Sequence, residues 1–329
     1  MAAVRPGLSH ARRIVVKIGS STLVDAGTGQ IRDAWFGAFA KDVQDLRTAG
    51  KQIILVSSGA IALGRRTLSL PPGALRLDQA QAAAAVGQIG LAAAWSAGLK
   101  TLGVTVAQVL LTYEDTEERR RYLNARATLN TLLGLGAVPV INENDTVATA
   151  EIRYGDNDRL AARVAAMMEA DALVLLSDID GLYTADPRKD TSAKLIPIVD
   201  AVTPDIEAAA GGVGSAMGSG GMATKILAAK LATGAGCHMA IARGDVLGPL
   251  SAMEHEGKAT WFRAAASPQA ARKTWIAGAL KPQGQLTIDT GAVNALQSGK
   301  SLLPAGVVAI VGDFERGDCV TVADLNGLE

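Results

Sequence analysis

INENDTVATAEIRYGDNDRLAARVAAMMEA, residues 141–170, contains two clusters of amide and carboxylate side chains around which the rest of the chain is arranged. An apolar run at 138–141 predicts a short strand, and the first cluster, residues 142–145, follows it directly. The second cluster, residues 155–158, precedes apolar residues spaced as in a helix over 160–168. The stretch therefore predicts one polar cluster at the carboxyl end of a strand and another at the start of a helix.

The two clusters are expected to meet in space. Asp156 can cap the predicted helix, and Asn157 and Asp158 fall in its first turn, where backbone N–H groups have no partner within the helix. In an open α/β sheet, small polar ligands bind at the edge formed by strand ends and helix starts. Asp and Asn are also common in caps and turns, so either cluster alone is consistent with a structural role. Two such clusters separated by one loop favour a ligand site.

Two similar strand-to-turn units lie earlier in the chain. Residues 13–18 (RIVVKI) are followed by Gly-Ser-Ser-Thr, and residues 52–56 (QIILV) are followed by Ser-Ser-Gly-Ala. Continuous apolar runs of this kind are typical of buried parallel strands, and the N–H groups of such turns face a ligand above the sheet. The second turn alone fits an ordinary strand-to-helix connection equally well. Lys17 is either a strand residue that extends outward to solvent or a cation placed to meet a phosphate.

A glycine-dense segment, residues 211–221 (GGVGSAMGSGG), leads into a helix predicted at 222–233. Thr224 and Lys225 fall in the first turns of that helix. A glycine loop, a helix start and a lysine together form a suitable cradle for phosphate groups. A flexible linker is the alternative, and the position of Lys225 favours the cradle.

The remaining pattern predicts an α/β fold followed by a small β unit. Strands and helices alternate through about residue 262, which predicts an open, mainly parallel, doubly wound sheet with helices on both faces. Further helices are predicted at 35–48, 77–99 and 116–133, further strands at 104–111, 172–176 and 237–242, and a hairpin at 179–187. Short β-like runs then occur at 285–288, 307–311 and 319–322. The predicted division is a first domain at 1–262, a linker at 263–276 and a small β domain at 277–329.

Composition restricts the class of protein. The 329 residues are 49% hydrophobic, with 32 basic and 32 acidic side chains, so charge gives no reason to expect binding to nucleic acid or to an anionic membrane. The two cysteines are far apart and have no metal-type spacing, which indicates a reducing compartment. The start of the chain has no apolar run of the signal-peptide kind, and no uninterrupted apolar segment reaches membrane-spanning length. We therefore expect a cytoplasmic protein with no membrane partner.

These motifs resemble those of the amino-acid kinase family, and within it the members that phosphorylate L-glutamate. The resemblance covers nearly the whole chain and rests on VVKIGSS, VSSGAIALG, PVINENDTVATAEIRYGDNDRLAA, LLSDIDGLYTADP and SGGMATK. Family members that act on aspartate, acetylglutamate or uridylate share the sheet but are not expected to carry the central string. Residues 277–329 resemble the first part of a PUA domain, and a complete PUA domain is expected to continue through further strands.

The resemblance implies a reaction and a set of site residues. The γ-phosphate of ATP would pass to the side-chain carboxylate of L-glutamate, giving glutamyl 5-phosphate, the first intermediate of proline synthesis. It implies that glutamate is bound by Ser58, Asp145 and Asn157, and that Lys17 and Lys225 neutralise the transferring phosphoryl group while Asp158 orients them. The residues it implies for ATP are Lys17, Ser177, Asp178, Ser219, Gly220, Gly221, Met222, Ala223, Thr224 and Lys225. It also implies a homo-oligomer, either dimer or tetramer, with proline as a feedback inhibitor.

The chemistry of such a reaction fits the residues present. A carboxylate is already a nucleophile, so no general base or cysteine is required, and the sequence offers no obvious one. Because both reactants are anions, the catalytic work is positioning and charge neutralisation by cations and N–H dipoles. Mg²⁺ is expected to be bound with ATP, and no dedicated protein metal site is expected.

Three other functions remain open at this point. An acetylglutamate or aspartate kinase would share the fold. An NAD-dependent oxidoreductase would use Gly218 to Ala223 as its G-x-G-x-x-A fingerprint, but that segment lacks the strand that should precede it. An RNA-binding protein would use residues 277–329. These residues include three basic and six acidic side chains, with Phe314 as the only aromatic, so neither a phosphate-binding surface nor a stacking platform is evident.

Overall fold

A computed structural model describes residues 6–25, 27–148, 157–209, 221–271, 283–315, 318 and 320–327. Its larger part is an eight-stranded sheet in the strand order β3-β4-β2-β1-β5-β7-β8-β6. These strands are β1 (Arg13–Ile18), β2 (Gln52–Ser57), β3 (Val106–Leu111), β4 (Val138–Glu143), β5 (Ala172–Ser177), β6 (Ile198–Val199), β7 (His238–Arg243) and β8 (Ala259–Phe262). Neighbouring strands are parallel except β7 and β8. The predicted open, mainly parallel sheet is confirmed.

Helices cover both faces of this sheet. Along β1, Ile14 and Val16 join an apolar cluster that includes Trp95, whereas Val15 joins a second cluster that includes Leu160. This alternation follows from the two-residue period of a strand, and it explains why the strands are apolar throughout. The helices described in this part are α1 (Ser20–Leu23), α2 (Asp33–Thr48), α3 (Ala60–Thr67), α4 (Leu77–Lys100), α5 (Glu114–Glu117), α6 (Arg119–Gly134), α7 (Asn157–Met167), α8 (Pro204–Ala209), α9 (Met222–Gly234) and α10 (Pro249–Glu256).

The register brings several strand ends to one edge of the sheet. Ile18, the last residue of β1, lies opposite Ser57 of β2 and Leu176 of β5. The turns that follow these strands therefore lie side by side. The edge predicted to carry a ligand site is formed by adjacent central strands, as the motifs required.

The helices α3 and α4 pack with their backbones in direct contact. A Cβ atom on Gly64 of α3 would lie 1.8 Å from the carbonyl oxygen of Ala83, and a Cβ atom on Gly87 of α4 would lie 1.8 Å from that of Ala60. No side chain other than hydrogen fits at either crossing point. This contact holds α4 directly behind the turn that follows β2.

One helix of the described residues, α4, is long and apolar enough to cross a membrane by length and composition. A core helix of a folded domain passes the same test. In α4, the side chains of Leu91, Trp95 and Leu99 have no solvent exposure and belong to the first apolar cluster.

Two predicted elements differ from the structure. The single helix predicted at 116–133 is wrong, because α5 and α6 are separated at Glu118, which is extended and whose side chain accepts a hydrogen bond from the N–H of Arg120. The hairpin predicted at 179–187 is shorter than expected, and its returning arm lies further along the chain. It consists of one antiparallel bridge between Tyr183 and Leu195, next to a hydrogen bond from Thr184 N–H to the carbonyl oxygen of Lys194.

The last part of the chain contains a three-stranded sheet in the order β10-β9-β11. Its strands, β9 (Gly284–Ile288), β10 (Val307–Gly312) and β11 (Val320–Ala323), agree with the predicted β runs. The predicted small β unit is confirmed, and it also contains a helix that the sequence analysis did not predict, α11 (Thr290–Gln297), between β9 and β10. Asp289 caps this helix by accepting the N–H of Ala292, a signal that was present in the sequence. The limits 262, 276 and 277 stay predictions.

Candidate active site

A buried ionic cluster joins three elements at the carboxyl edge of the sheet. Lys17 comes from the end of β1, Asp158 from the first turn of α7, and Lys225 from the first turns of α9. The ammonium nitrogen of Lys17 lies 2.7 Å from Asp158 Oδ1, and that of Lys225 lies 3.2 Å from Asp158 Oδ2. Residues separated by more than 60 positions in the sequence are thus held around one carboxylate.

The protonation state of this carboxylate follows from its surroundings. Burial alone would raise the pKa of Asp158, because the side chain has no solvent exposure, but Lys17 and Lys225 outweigh it and leave the pKa below its usual value. Asp158 is therefore ionised at neutral pH. Two lysines share one carboxylate, so the cluster keeps a net positive charge suited to an anionic ligand.

A chain of amide and hydroxyl groups begins at the residue next to this cluster. Asn157 Nδ2 donates to Ser58 Oγ over 2.7 Å and to Asn142 Oδ1 over 2.9 Å. Asn142 Nδ2 in turn donates to Gln88 Oε1 of α4 over 2.9 Å. The turn after β2, the end of β4 and the start of α7 are therefore fixed to one another.

Ser58, Asn142 and Asn157 line a cavity of about 590 Å³, here called the Ser58 cavity. It contains all three residues predicted to bind the substrate, Ser58, Asp145 and Asn157. It also contains Arg65 of α3 and Asn142, which the sequence reasoning did not assign to the site. Asn142 lies within the cluster 142–145 and could have been found there, whereas nothing in the local sequence marks Arg65.

A second cavity, of about 610 Å³, lies at Lys225 and is called the Lys225 cavity. Three of the residues predicted for the nucleotide, Asp178, Gly221 and Met222, line it together with Lys225. Ser177 is buried behind it and donates from Oγ to Asp178 Oδ1 over 2.9 Å. The lining residues that the sequence reasoning did not assign to the site include Tyr183 and Arg243.

The other predicted phosphate-binding residues stand at or near the start of α9. Thr224 is buried, and its hydroxyl donates to the carbonyl oxygen of Gly221 over 2.8 Å. Ala223 is the second residue of the helix and does not appear in the lining of either cavity. Ser219 and Gly220 lie outside the described residues.

Two consecutive residues of α7 relate the two cavities to each other. Asn157 lines the Ser58 cavity, while its neighbour Asp158 binds Lys225 of the second cavity. Two ligands, one in each cavity, would therefore approach each other near the ionic cluster, with Lys17 and Lys225 beside them. Such an arrangement suits the transfer of an anionic group between two bound molecules. Within the described ranges, no group of three His, Cys, Asp or Glu side chains is arranged to hold a metal ion.

Comparison with known proteins shows that this chain is similar to kinases. Residues 12–243 match the model of the amino acid kinase family, and residues 284–329 match that of the PUA domain. A glutamate 5-kinase of Paramagnetospirillum magneticum is 61% identical over 97% of this chain and 86% of its own length. A glutamate 5-kinase of Allorhizobium ampelinum is 58% identical over 100% of this chain and 84% of its own length.

Solved structures show the same fold at much lower identity. Carbamate kinase from Giardia lamblia, bound to AMP-PNP, superimposes with a TM-score of 0.55 at 14% identity, covering 78% of this chain and 99% of that one. UMP kinase from Ureaplasma parvum gives 0.52 at 14% identity, covering 77% and 98%. At this identity the likeness concerns the fold alone.

Proposed function

Because this chain belongs to the amino acid kinase family, we propose that it transfers the γ-phosphoryl group of ATP to the side-chain carboxylate of L-glutamate. The product is glutamyl 5-phosphate, and the reaction is the first step of proline biosynthesis. The observation that carries this function is the identity of about 60% to glutamate 5-kinases over nearly the whole chain. The ionic cluster between two cavities is the feature of the structure that supports it.

The two cavities suggest where each substrate binds. We propose that glutamate occupies the Ser58 cavity, where Ser58, Asp145 and Asn157 contact its amino-acid end. ATP occupies the Lys225 cavity and the start of α9, where the first N–H groups have no acceptor within the helix and the positive end of the helix dipole favours phosphate. The side-chain carboxylate and the γ-phosphoryl group then meet at the ionic cluster.

The transfer needs few chemical groups from the protein. A carboxylate oxygen of glutamate attacks the γ-phosphorus, a new P–O bond forms, the bond to ADP breaks, and no proton has to be removed. Lys17 and Lys225 lower the repulsion between the two anions, which is greatest in the transition state. Asp158 keeps the two ammonium groups together. It is ionised and bound by both lysines, so its role is to position them.

Kinases of this family use ATP together with a divalent metal, and we propose Mg²⁺ as that metal. When bound, it supplies further neutralisation of the phosphate charge. Asp178 and Asp180 line the Lys225 cavity, and carboxylate oxygens are ligands that Mg²⁺ prefers. The ion is bound mainly through the phosphates of ATP.

Several finer properties are also proposed. Composition and the spacing of the cysteines support a cytoplasmic location, and the alternation of strands and helices supports a division into domains at 1–262 and 277–329 with a linker between them. The resemblance supports assembly into a dimer or tetramer and feedback inhibition by proline. Residues 277–329 would serve structure, assembly or regulation, and catalysis would reside in the first domain.

A phosphoryl-transfer assay with ATP and a panel of acceptors tests the function directly. The panel is L-glutamate, N-acetylglutamate, L-aspartate, UMP and carbamate, and acyl phosphates are trapped with hydroxylamine as hydroxamates. We expect a hydroxamate product and ADP release with L-glutamate. Turnover with another acceptor and none with L-glutamate would contradict the proposal and favour another kinase of the same family.

A further inference from the structure

The helix α4 contacts the chain on both sides of Asp145. Gln81 and Gln88 are seven residues apart, so they share one face of this helix. Gln88 Oε1 accepts a hydrogen bond from Asn142 Nδ2 over 2.9 Å. Gln81 Nε2 donates to the carbonyl oxygen of Ala148, three residues after Asp145, over 3.1 Å. None of the motifs that identify the site includes α4.

The hydrogen bonds of this region have a fixed direction. An amide nitrogen has two hydrogens, and Asn157 Nδ2 uses both, one toward Ser58 Oγ and one toward Asn142 Oδ1. Asn157 therefore has only its carbonyl oxygen, an acceptor, to offer to a ligand. Ser58 Oγ accepts from Asn157, so its own hydrogen remains for donation into the cavity.

The direction of this chain depends on the orientation of the Asn142 amide. Asn142 is only 4% exposed, and its Nδ2 finds an acceptor in Gln88 Oε1. If the Asn142 amide turned through 180°, its nitrogen would face Asn157. The carbonyl oxygen of Asn157 would then accept a hydrogen bond from Asn142 and would no longer be available to a ligand. In that orientation the carbonyl oxygens of Asn142 and Gln88 would face each other, which is unfavourable, so the acceptor on Gln88 favours the observed orientation of Asn142.

We propose that Gln88 is a positioning residue that fixes the hydrogen-bond direction of the glutamate site. Through Asn142, it keeps the carbonyl oxygen of Asn157 turned toward the α-ammonium group of the substrate and the hydroxyl of Ser58 turned toward its α-carboxylate. A free ammonium group is then required for tight binding. This inference rests on the proposed function.

Two substitutions of Gln88 distinguish the role of its hydrogen-bond acceptor from that of its size and shape. Gln88→Met keeps a similar length and removes the acceptor, whereas Gln88→Glu keeps an oxygen acceptor. We expect Gln88→Met to raise the KM for glutamate roughly tenfold, the size of effect that follows from one unpaired buried amide, with little change in the KM for ATP. Gln88→Glu should recover most of this loss. Gln79→Met is the matched control, since Gln79 of the same helix accepts from the backbone N–H of Arg76 at its first turn.

A comparison of two ligands tests the proposed hydrogen-bond direction in the glutamate site. Glutarate lacks the ammonium group of glutamate but keeps both carboxylates, so its dissociation constant, measured as competitive inhibition, should rise clearly less in Gln88→Met than that of glutamate. Equal weakening of glutamate and glutarate would show that Gln88 is merely structural. A KM for glutamate within twofold of the parent in Gln88→Met would overturn the proposal as well. Absence of glutamate turnover in the parent protein would instead contradict the proposed function, so the two failures are distinguishable.

Discussion

The close contact between α3 and α4 gives a prediction whose size can be worked from the structure. A methyl group on Gly87 would lie 1.8 Å from the carbonyl oxygen of Ala60 and 2.5 Å from the backbone nitrogen of Gly64. Ordinary contact begins at 3.4 Å, so the two helices would have to separate by about 1.6 Å. The obstructing atoms are backbone atoms and cannot rotate away, which places Gly87→Ala among overpacked substitutions that typically cost about 1–3 kcal/mol or more.

Gly90→Ala is a matched control in the same helix. A Cβ atom at Gly90 would meet nothing within 4 Å, and the position is exposed. Alanine is favoured over glycine in a helix interior by about 1 kcal/mol, so Gly90→Ala should be slightly stabilising. Gly87→Ala gains the same helix propensity from alanine. The difference in the free energy of unfolding between the two variants therefore measures the steric cost alone. We expect the free energy of unfolding of Gly87→Ala to be about 3 kcal/mol lower than that of Gly90→Ala, which corresponds to a Tm lower by roughly 5–10 °C.

The same displacement should reach the active site. Ala60 lies two residues after Ser58, so movement of α3 would disturb the 2.7 Å hydrogen bond between Ser58 and Asn157. We expect Gly87→Ala to raise the KM for glutamate more than that for ATP. Thermal unfolding followed by circular dichroism, combined with steady-state kinetics, measures both effects. If Gly87→Ala is as stable as Gly90→Ala and has the parent KM for glutamate, the close contact does not exist in solution.

Further predictions concern charge at and away from the site. Asp145→Ala should raise the KM for glutamate far more than the KM for ATP, and an equal rise in both would contradict its assignment to the amino-acid substrate. Lys17→Ala and Lys225→Ala should each lower kcat by roughly 10²-fold, and Lys→Arg should not restore it fully, because a planar guanidinium places its donors differently. If folded alanine variants keep kcat within a few-fold of the parent, the two lysines are structural. Burial, and then a neighbouring arginine, lower the pKa of His238 below 6.5, and its Nδ1 accepts a backbone N–H. His238 therefore takes up a proton more readily in the unfolded chain than in the folded protein. Its contribution should lower the free energy of unfolding as the pH falls below 6.5. His238→Gln should reduce the pH dependence of urea unfolding between pH 6.5 and 5. Identical pH profiles for the parent and His238→Gln would exclude this role.

The main architecture could be read from the sequence because it depends on local periodicity. Continuous apolar runs ending in small residues predicted β1 and β2, and β1 was predicted with the bounds that the structure shows. Parallel strands have their carboxyl ends at one edge, so Lys17 and Lys225 could be expected at the same edge of the sheet. The position of Lys225 after the glycine segment followed from the same rule. The roles of these residues came from the resemblance to a kinase family.

The tertiary structure alone decided the contacts between elements distant in the sequence. Gln88 lies in an alanine-rich helix that carries no motif, and its partner Asn142 is 54 positions away. Gly87 resembles the other glycines of α4 in sequence, yet it meets a backbone atom while Gly90 meets open space. Local sequence fixes the period and the ends of an element. The partner of a buried amide and the side of a helix that admits no methyl group depend on how the elements pack, because each is set by atoms that no neighbouring residue supplies.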